Sequence, residues 1–249
     1  MASGPSLPTG GSMASGPSPS PSGSGYSTVV GIASPVSAAP VLAAVASAQK
    51  TMTWTVYAHR TKVDAATGRY QFDCVGMTNY ILGVAAPSAN NAMRSALGIS
   101  AGHTPSPAHM AQYFAGLPAA GNTHWRPIRN VTDIQGGDVI AVAPAAHSNE
   151  AGHAMIAAGP ATPLADAGYS VLVYDSTAVP PPHGAYDTRL TDPRAAKLAS
   201  GKPSGLGSGT VEIKADSAGV PQRLLWSVGG SSYGEQPHIA RALSAAPSS

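Results

Sequence analysis

Residues 69–82 read RYQFDCVGMTNYIL, and this stretch holds Cys74, the only cysteine in a chain of 249 residues. An extended segment, RYQF, leads to Asp73, and from Cys74 to about Val84 the apolar positions recur at helical spacing. The pattern predicts a helix that begins at the cysteine. Backbone N–H groups and the positive end of the helix dipole would then lie beside the sulfur, where they favour thiolate over thiol.

The cysteine has two interpretations. A lone cysteine is usually a small buried apolar residue, and one cysteine forms neither an internal disulfide nor a CxxC metal knuckle. Its neighbours Asp73 and Gly76 favour a nucleophile instead. Asp73 is interpreted first as the cap of the helix, and it is also a candidate for substrate contacts.

A thiolate nucleophile needs a proton-transfer partner, and position selects one of the eight histidines. His153 follows Gly152 at the start of the apolar run HAMIAAG, where the glycine allows a close backbone approach. The next run ends VYDST, which places Asp175 and Ser176 at an edge of the same predicted sheet. We therefore expect a triad of Cys74, His153 and Asp175.

Composition excludes some classes of function. Hydrophobic residues make up 43% of the chain and charged residues only 10%, with a formal net charge of +2. Nucleic-acid binding needs a dense basic face, and the basic residues are scattered along this sequence. We expect no nucleic-acid partner.

The chain is predicted to divide into three parts. Residues 1–36 form a Ser/Gly/Pro-rich tail that carries too little apolar side chain to order itself. A catalytic domain covers 37–240, and 241–249 form a flexible end. The stretch 27–50 is interpreted either as a remnant signal region ending near residue 48 or, preferably, as a first helix capped by Ser37 with Pro40 in its first turn. Its prolines argue against a transmembrane span.

Helical patterns come first and strand patterns later. Residues 52–63 suggest a strand and 64–68 a turn, whereas 89–116 look mainly helical with a break at 100–107. Short apolar runs at 136–144, 152–159 and 168–176 precede a hairpin near the end, formed by GTVEIKAD and VPQRLLWSV. This order predicts an α+β fold with N-terminal helices packed on a mostly antiparallel sheet.

Three motifs in this order, FDCVGMTNYIL, IQGGDVIAV and GHAMIAAG, resemble the signature of NlpC/P60-type cysteine peptidases across residues 52–176. The resemblance implies a papain-like α+β domain that hydrolyses amide bonds, commonly in bacterial cell-wall peptides. It places the nucleophile at Cys74 and the base at His153. Asp175 stands where the third polar residue of that family is expected, a position that is more often histidine. Tyr57 and Tyr70 are candidates to border the substrate cleft, together with Ser176.

Other motifs have plainer interpretations. The run HSNEAGH places His147, Glu150 and His153 three apart, which is not the i, i+4 histidine spacing of a zinc helix. We expect neither a metal nor a cofactor. GLGSGT at 205–210 is interpreted as a glycine-rich turn, and Asp138 as a carboxylate that satisfies turn amides. Six other histidines are expected on the surface or in loops: His59, His103, His109, His124, His183 and His238.

The sequence thus predicts a thiol-dependent amidase or endopeptidase, monomeric, with a peptide or cell-wall peptide as its substrate. By analogy with the family, the location would be extracellular or in the cell envelope. Two alternatives stay open. One is a non-catalytic wall- or peptide-binding module of the same fold, and the other is an acyl or amide transferase that uses the same thioester.

Overall fold

Helices precede most of the strands along the chain, as the sequence pattern predicts. The computed structural model describes residues 38–100, 102–146, 152–166, 168–178 and 183–243. The helices are α1 (Ala39–Thr51), α2 (Cys74–Ala85), α3 (Pro87–Ala96) and α4 (Pro107–Ala115). The strands are β1 (Trp54–Val56), β2 (Lys62–Asp64), β3 (Arg69–Gln71), β4 (Trp125–Ile128), β5 (Val139–Val142), β6 (His153–Ala157), β7 (Thr162–Pro163), β8 (Gly168–Thr177), β9 (Gly205–Ala215), β10 (Pro221–Leu225), β11 (Ser232–Tyr233) and β12 (Pro237–Ala242). The predicted tail at 1–36 lies outside the described residues.

The strands form one large sheet and one small one. The large sheet has the order β11-β10-β9-β8-β6-β5-β12-β4, with β7 paired to β8, and its neighbouring strands run antiparallel. The small sheet has the order β1-β3-β2, and its β1–β3 pair is parallel. The predicted α+β class with a mostly antiparallel sheet is confirmed.

Side chains on the two faces of the large sheet fill two apolar clusters. Strand β6 shows the division, since Ala154 and Ile156 pack with the helices whereas Met155 and Ala157 face the other way. Strands β10 and β12 contact each other although four strands separate them in the sheet order. The sheet is therefore strongly curved, and the second cluster lies inside the curve.

Helix α2 lies against this sheet and is fixed at its first turn. The Asp73 side chain caps it, with Oδ1 accepting from the Gly76 N–H at 2.7 Å, as predicted. Most of the first two turns is buried, including Val75 and Met77. Burial of such side chains contributes about 1.5–3 kcal/mol each, so the first turn of α2 is held firmly against the sheet.

Several element predictions need correction. The single strand expected at 52–63 is two strands, β1 and β2, with a bend between them. Helix α1 exists with Pro40 in its first turn, but its N-cap is Ala38 and not Ser37, which lies outside the described residues. Strand β12 reaches Ala242, past the predicted domain boundary at 240.

The prediction of a glycine-rich turn at 205–210 is also wrong, because these residues form the first half of strand β9. Glycine is the strongest local turn signal, but here every second residue is glycine, and each stands on the same face of the strand.

Candidate active site

The topology brings His153 and Asp175 to the same end of two neighbouring strands. His153 begins β6, and Asp175 lies near the end of the antiparallel neighbour β8. His153 Nε2 lies 2.8 Å from Asp175 Oδ2, a hydrogen bond between two buried side chains. Gly152 has a φ of 78°, and a Cβ there would lie 2.5 Å from the Val142 carbonyl oxygen. The predicted close backbone approach at Gly152 is therefore confirmed.

Cys74 is the first residue of α2, has 6% of its surface exposed and is a hydrogen-bond partner of the His153 ring. Burial lowers the pKa of His153, but the charge of Cys74 and hydrogen bonds with Asp175 and Cys74 outweigh it and raise the pKa to about 10. Since Nε2 faces Asp175, the contact with Cys74 falls to Nδ1. The raised pKa keeps His153 as an imidazolium beside the sulfur.

The segment before Cys74 is tied to the strand that carries Asp175. The Ser176 hydroxyl, buried on β8, donates to the Phe72 carbonyl oxygen at 2.7 Å. Inside the helix, the Thr78 hydroxyl donates to the Cys74 carbonyl oxygen at 2.9 Å. Both bonds fix the backbone around the nucleophile.

Asp175 is fully buried and is held by Arg189. The Arg189 guanidinium donates to Asp175 Oδ1 at 2.8 Å and, through its other nitrogen, to Asp187 Oδ2 at 2.7 Å. Burial by itself raises the pKa of Asp175, but the charges of Arg189 and His183 and the hydrogen bond from His153 hold it well below its usual range. Asp175 therefore stays ionised and keeps its oxygens as acceptors.

His183 and Trp226 complete the surroundings of the triad. His183 Nε2 lies 3.2 Å from Asp175 Oδ2, the oxygen that His153 also contacts. The Trp226 ring stands edge-on to the His153 ring, with centroids 4.9 Å apart. Trp226 thus limits the access of water to the imidazole. His183 lies in the connection between β8 and β9, so the expectation of a surface or loop residue holds for the loop, but its side chain is buried and not on the surface.

Tyr57 lies within reach of the charges of Cys74 and Asp73, and Asp73 has two local partners of its own. Burial, followed by the charges of Cys74 and Asp73, raises the pKa of Tyr57 to about 12, so its hydroxyl remains a donor. Asp73 uses Oδ1 to cap α2, and its Oδ2 lies 3.3 Å from Nδ1 of the exposed His59. Among the four candidates for substrate contacts, Tyr57 and Asp73 are the two near Cys74: the charge of Cys74 acts on Tyr57, and Asp73 directly precedes it.

Tyr70 and Ser176 lie elsewhere than a substrate cleft requires. Tyr70 is 3% exposed and packs in the core against Phe72 and Tyr80, with ring centroids 5.9 and 6.1 Å away. Ser176 is buried, and its hydroxyl donates to the Phe72 carbonyl oxygen. Tyr70 is therefore a packing residue, and Ser176 positions the backbone.

Arg189, His183 and Trp226 were not singled out as site residues from the sequence. A signal for the first two lies in β9, whose glycines leave room for them. A Cβ at Gly207 would lie 2.7 Å from Arg189 Cγ, and one at Gly209 would lie 2.3 Å from His183 Cβ. Gly207 pairs with Asp175 across β8 and β9. The glycines of β9 therefore leave space for the His183 ring and the Arg189 guanidinium beside the Asp175 carboxylate.

The remaining polar predictions concern structure or metal binding. Asp138 accepts from the Gln135 N–H at 2.8 Å, as expected for a turn, and also pairs with the buried Arg241 at 2.7 Å. His147 and Glu150 of the zinc alternative lie outside the described residues. Within the residues that are described, no group of three or more histidine, cysteine or acidic side chains is placed to hold a metal ion.

Across the described ranges, none of the helices combines the length and apolar character that crossing a membrane requires.

The chain matches no family model, and comparisons with curated proteins and with solved structures find no match either.

Proposed function

We propose that this chain is a cysteine-dependent amidase or endopeptidase with a papain-like fold, related to the NlpC/P60-type peptidases. Its substrate class is the bacterial cell-wall peptide, and its place of action is the cell envelope or the extracellular space. The observation that carries the proposal is the line of contacts from Cys74 through His153 to Asp175. A thiol, an imidazole and a carboxylate in this order are the components of nucleophilic amide hydrolysis.

Acylation begins with the thiolate–imidazolium pair of Cys74 and His153. The sulfur attacks the amide carbonyl carbon, a C–S bond forms, and the carbonyl electron pair moves to oxygen. The Cys74 N–H is the first of its helix and has no acceptor within the helix, so it can donate to this oxyanion. The protonated Tyr57 hydroxyl is the second candidate donor.

Collapse of the tetrahedral intermediate breaks the C–N bond, and the His153 imidazolium gives its proton to the leaving amine. A water molecule then attacks the thioester while His153 accepts the water proton, and the acid product leaves with Cys74 regenerated as thiolate. Asp175 holds the ring through Nε2 throughout both steps. Because its pKa is well below the usual range, it orients the imidazole and does not take the proton.

Digestion of purified peptidoglycan tests this proposal. We expect the wild-type protein to release soluble peptides that carry one new amino and one new carboxyl terminus per cut, as read by mass spectrometry. The Cys74→Ala variant is the matched control and should release none.

The same experiment separates the alternatives. Binding to the cell wall without release of peptide would contradict the enzyme and support a binding module. In a second arm with added glycinamide, a product that carries the added amine in place of a new carboxyl terminus would indicate a transferase. Hydrolysis that persists in Cys74→Ala would contradict the assigned nucleophile.

A further inference from the structure

A cavity of about 600 Å³ opens on the helix side of the large sheet. Its walls come from the last turns of α1, from Tyr174 on β8 and from the connection between β8 and β9. Tyr174 packs against the apolar cluster under the helices, whereas Val173 belongs to the cluster inside the curve. Successive side chains of a strand alternate, so the cavity and the Asp175 carboxylate lie on opposite faces of β8.

The polar groups of this cavity have unused hydrogen-bonding capacity. The Gln49 amide nitrogen donates to the hydroxyls of Thr188 and Ser208, at 3.5 and 3.4 Å, and no described residue donates to its carbonyl oxygen. Thr188 Oγ1 accepts from Gln49 and from the Ser208 N–H, and no described residue accepts its own hydrogen. The hydroxyls of Tyr174 and Thr191 have no partner in the part of the chain that the structure describes. The lining therefore offers an amide acceptor and three hydroxyl groups to a ligand.

The charges of the lining argue against an anion. Arg194 contacts both carboxylate oxygens of Asp192, at 2.8 and 2.7 Å, and the two charges offset each other. Arg194 also donates to the carbonyl oxygens of Gln49 and Met52 at the C-terminal end of α1. The third charged residue of the lining, Lys50, is exposed, and the negative end of the α1 dipole lies beside it. A neutral ligand rich in hydroxyl groups suits this lining better than a phosphate or a carboxylate.

The size and the apolar part of the cavity narrow the ligand class. A cavity of this volume holds a small organic ligand, and Ala46, Pro193 and the Tyr174 ring form its apolar wall. An N-acetylated amino sugar has an apolar C–H face for such a wall and hydroxyl groups that both donate and accept. Its amide N–H needs an acceptor, which the Gln49 carbonyl oxygen provides.

We propose that this cavity is a saccharide site that holds an N-acetylated amino sugar of a cell-wall glycan strand. The identity of the sugar rests on the proposed function, since cell-wall peptides are attached to strands of such sugars. Cys74 does not line the cavity, so a bound sugar leaves the nucleophile free for the peptide. The saccharide site thus anchors the protein on the strand that carries its substrate.

Binding is tested with N,N′,N″-triacetylchitotriose, a trisaccharide of N-acetylglucosamine without a peptide. It is titrated into the wild-type protein and followed in ¹H–¹⁵N spectra. We expect saturable shifts at the backbone amides of Gln49, Thr188 and Thr191. Absence of saturable binding would overturn the proposal. Inorganic phosphate is the probe of a second titration, and tighter binding of phosphate than of trisaccharide at these amides would also overturn it.

Two variants locate the bound sugar. Gln49→Met keeps the length of the side chain but removes the acceptor, and Thr191→Val removes an exposed hydroxyl. Each should weaken binding about two- to tenfold, the effect of one hydrogen bond. Gln112→Met, at an exposed glutamine of α4, is the matched control and should bind as wild type does. Wild-type affinity in Thr191→Val and in a folded Gln49→Met would overturn the proposal, and Thr191→Val decides alone if Gln49→Met does not fold.

The trisaccharide carries no peptide, so its binding does not depend on Cys74. Saccharide binding by a protein that releases no peptide from peptidoglycan would support the saccharide site and contradict the proposed function alone. Release of peptide by a protein that does not bind the trisaccharide would overturn the saccharide site alone.

Discussion

Replacing Cys74 by alanine is expected to lower kcat by at least about 10⁴-fold, because the nucleophile of the proposed reaction is removed. The fold should persist. Alanine is the best helix former, the cap from Asp73 to the Gly76 N–H does not involve the thiol, and the lost sulfur should cost about 1 kcal/mol. Steady-state release of peptides from purified peptidoglycan measures the loss of activity. Urea unfolding measures the change in stability separately.

Two further variants sharpen this prediction. Cys74→Ser keeps the shape but offers a hydroxyl that is far less ionised, so it should be nearly as inactive as the alanine variant. Val84→Ala changes an exposed residue at the far end of the same helix and should keep full activity. Turnover above a few per cent of wild type in Cys74→Ala would rule out the nucleophile.

Replacing Arg189 by methionine is expected to destabilise the fold by about 3–5 kcal/mol, because two buried carboxylates, Asp175 and Asp187, lose their shared cation. Arg194 provides a closely matched control. It contacts Asp192 at 2.7 Å with the same two-residue spacing, but its side chain is 36% exposed. Arg194→Met should therefore cost about 1 kcal/mol or less. Urea unfolding at pH 7 measures both.

The pH dependence gives this prediction a second readout. Arg189 helps to hold the pKa of Asp175 below its usual range, so its contribution to stability is present above about pH 4 and is lost as the pH falls further. The gap between wild type and Arg189→Met should narrow in acid. Equal losses for the Arg189 and Arg194 variants, or a gap that is independent of pH, would contradict the described role of Arg189.

The residues with local signals were predictable from the sequence. Asp73 and the apolar spacing after it indicate where α2 begins, and Gly152 marks the strand start at His153. The place of Asp175 in the site was predicted from an apolar run that ends in polar residues. Each prediction depends on neighbours within a few positions, where helix caps, glycine and side-chain alternation act.

The other half of the site depends on contacts between distant segments. Arg189 and His183 lie on the connection between β8 and β9, and they reach Asp175 only because these strands pair with Gly207 opposite it. Trp226 follows β10, on the far side of β9. Register between strands is not encoded in a short window, so sequence patterns alone could not assemble these three residues.

Local propensity also explains the errors. Alternating glycines at 205–209 resemble a turn because glycine lacks the side chain that marks a strand face, yet this absence is what admits Arg189 and His183. Tyr70 precedes the nucleophile in the sequence, but the alternation along β3 turns its ring into the core. Burial imposed by packing decided both cases.

The most direct test of the triad is the rate at which iodoacetamide alkylates Cys74, measured by mass spectrometry at a series of pH values. We expect wild-type Cys74 to react at pH 6–7, since the His153 pKa of about 10 keeps the imidazolium beside the sulfur. His153→Ala should lose this reactivity and return to the behaviour of free cysteine, with a midpoint near pH 8.5, whereas His103→Ala should match wild type. Identical profiles for wild type and His153→Ala would contradict the account.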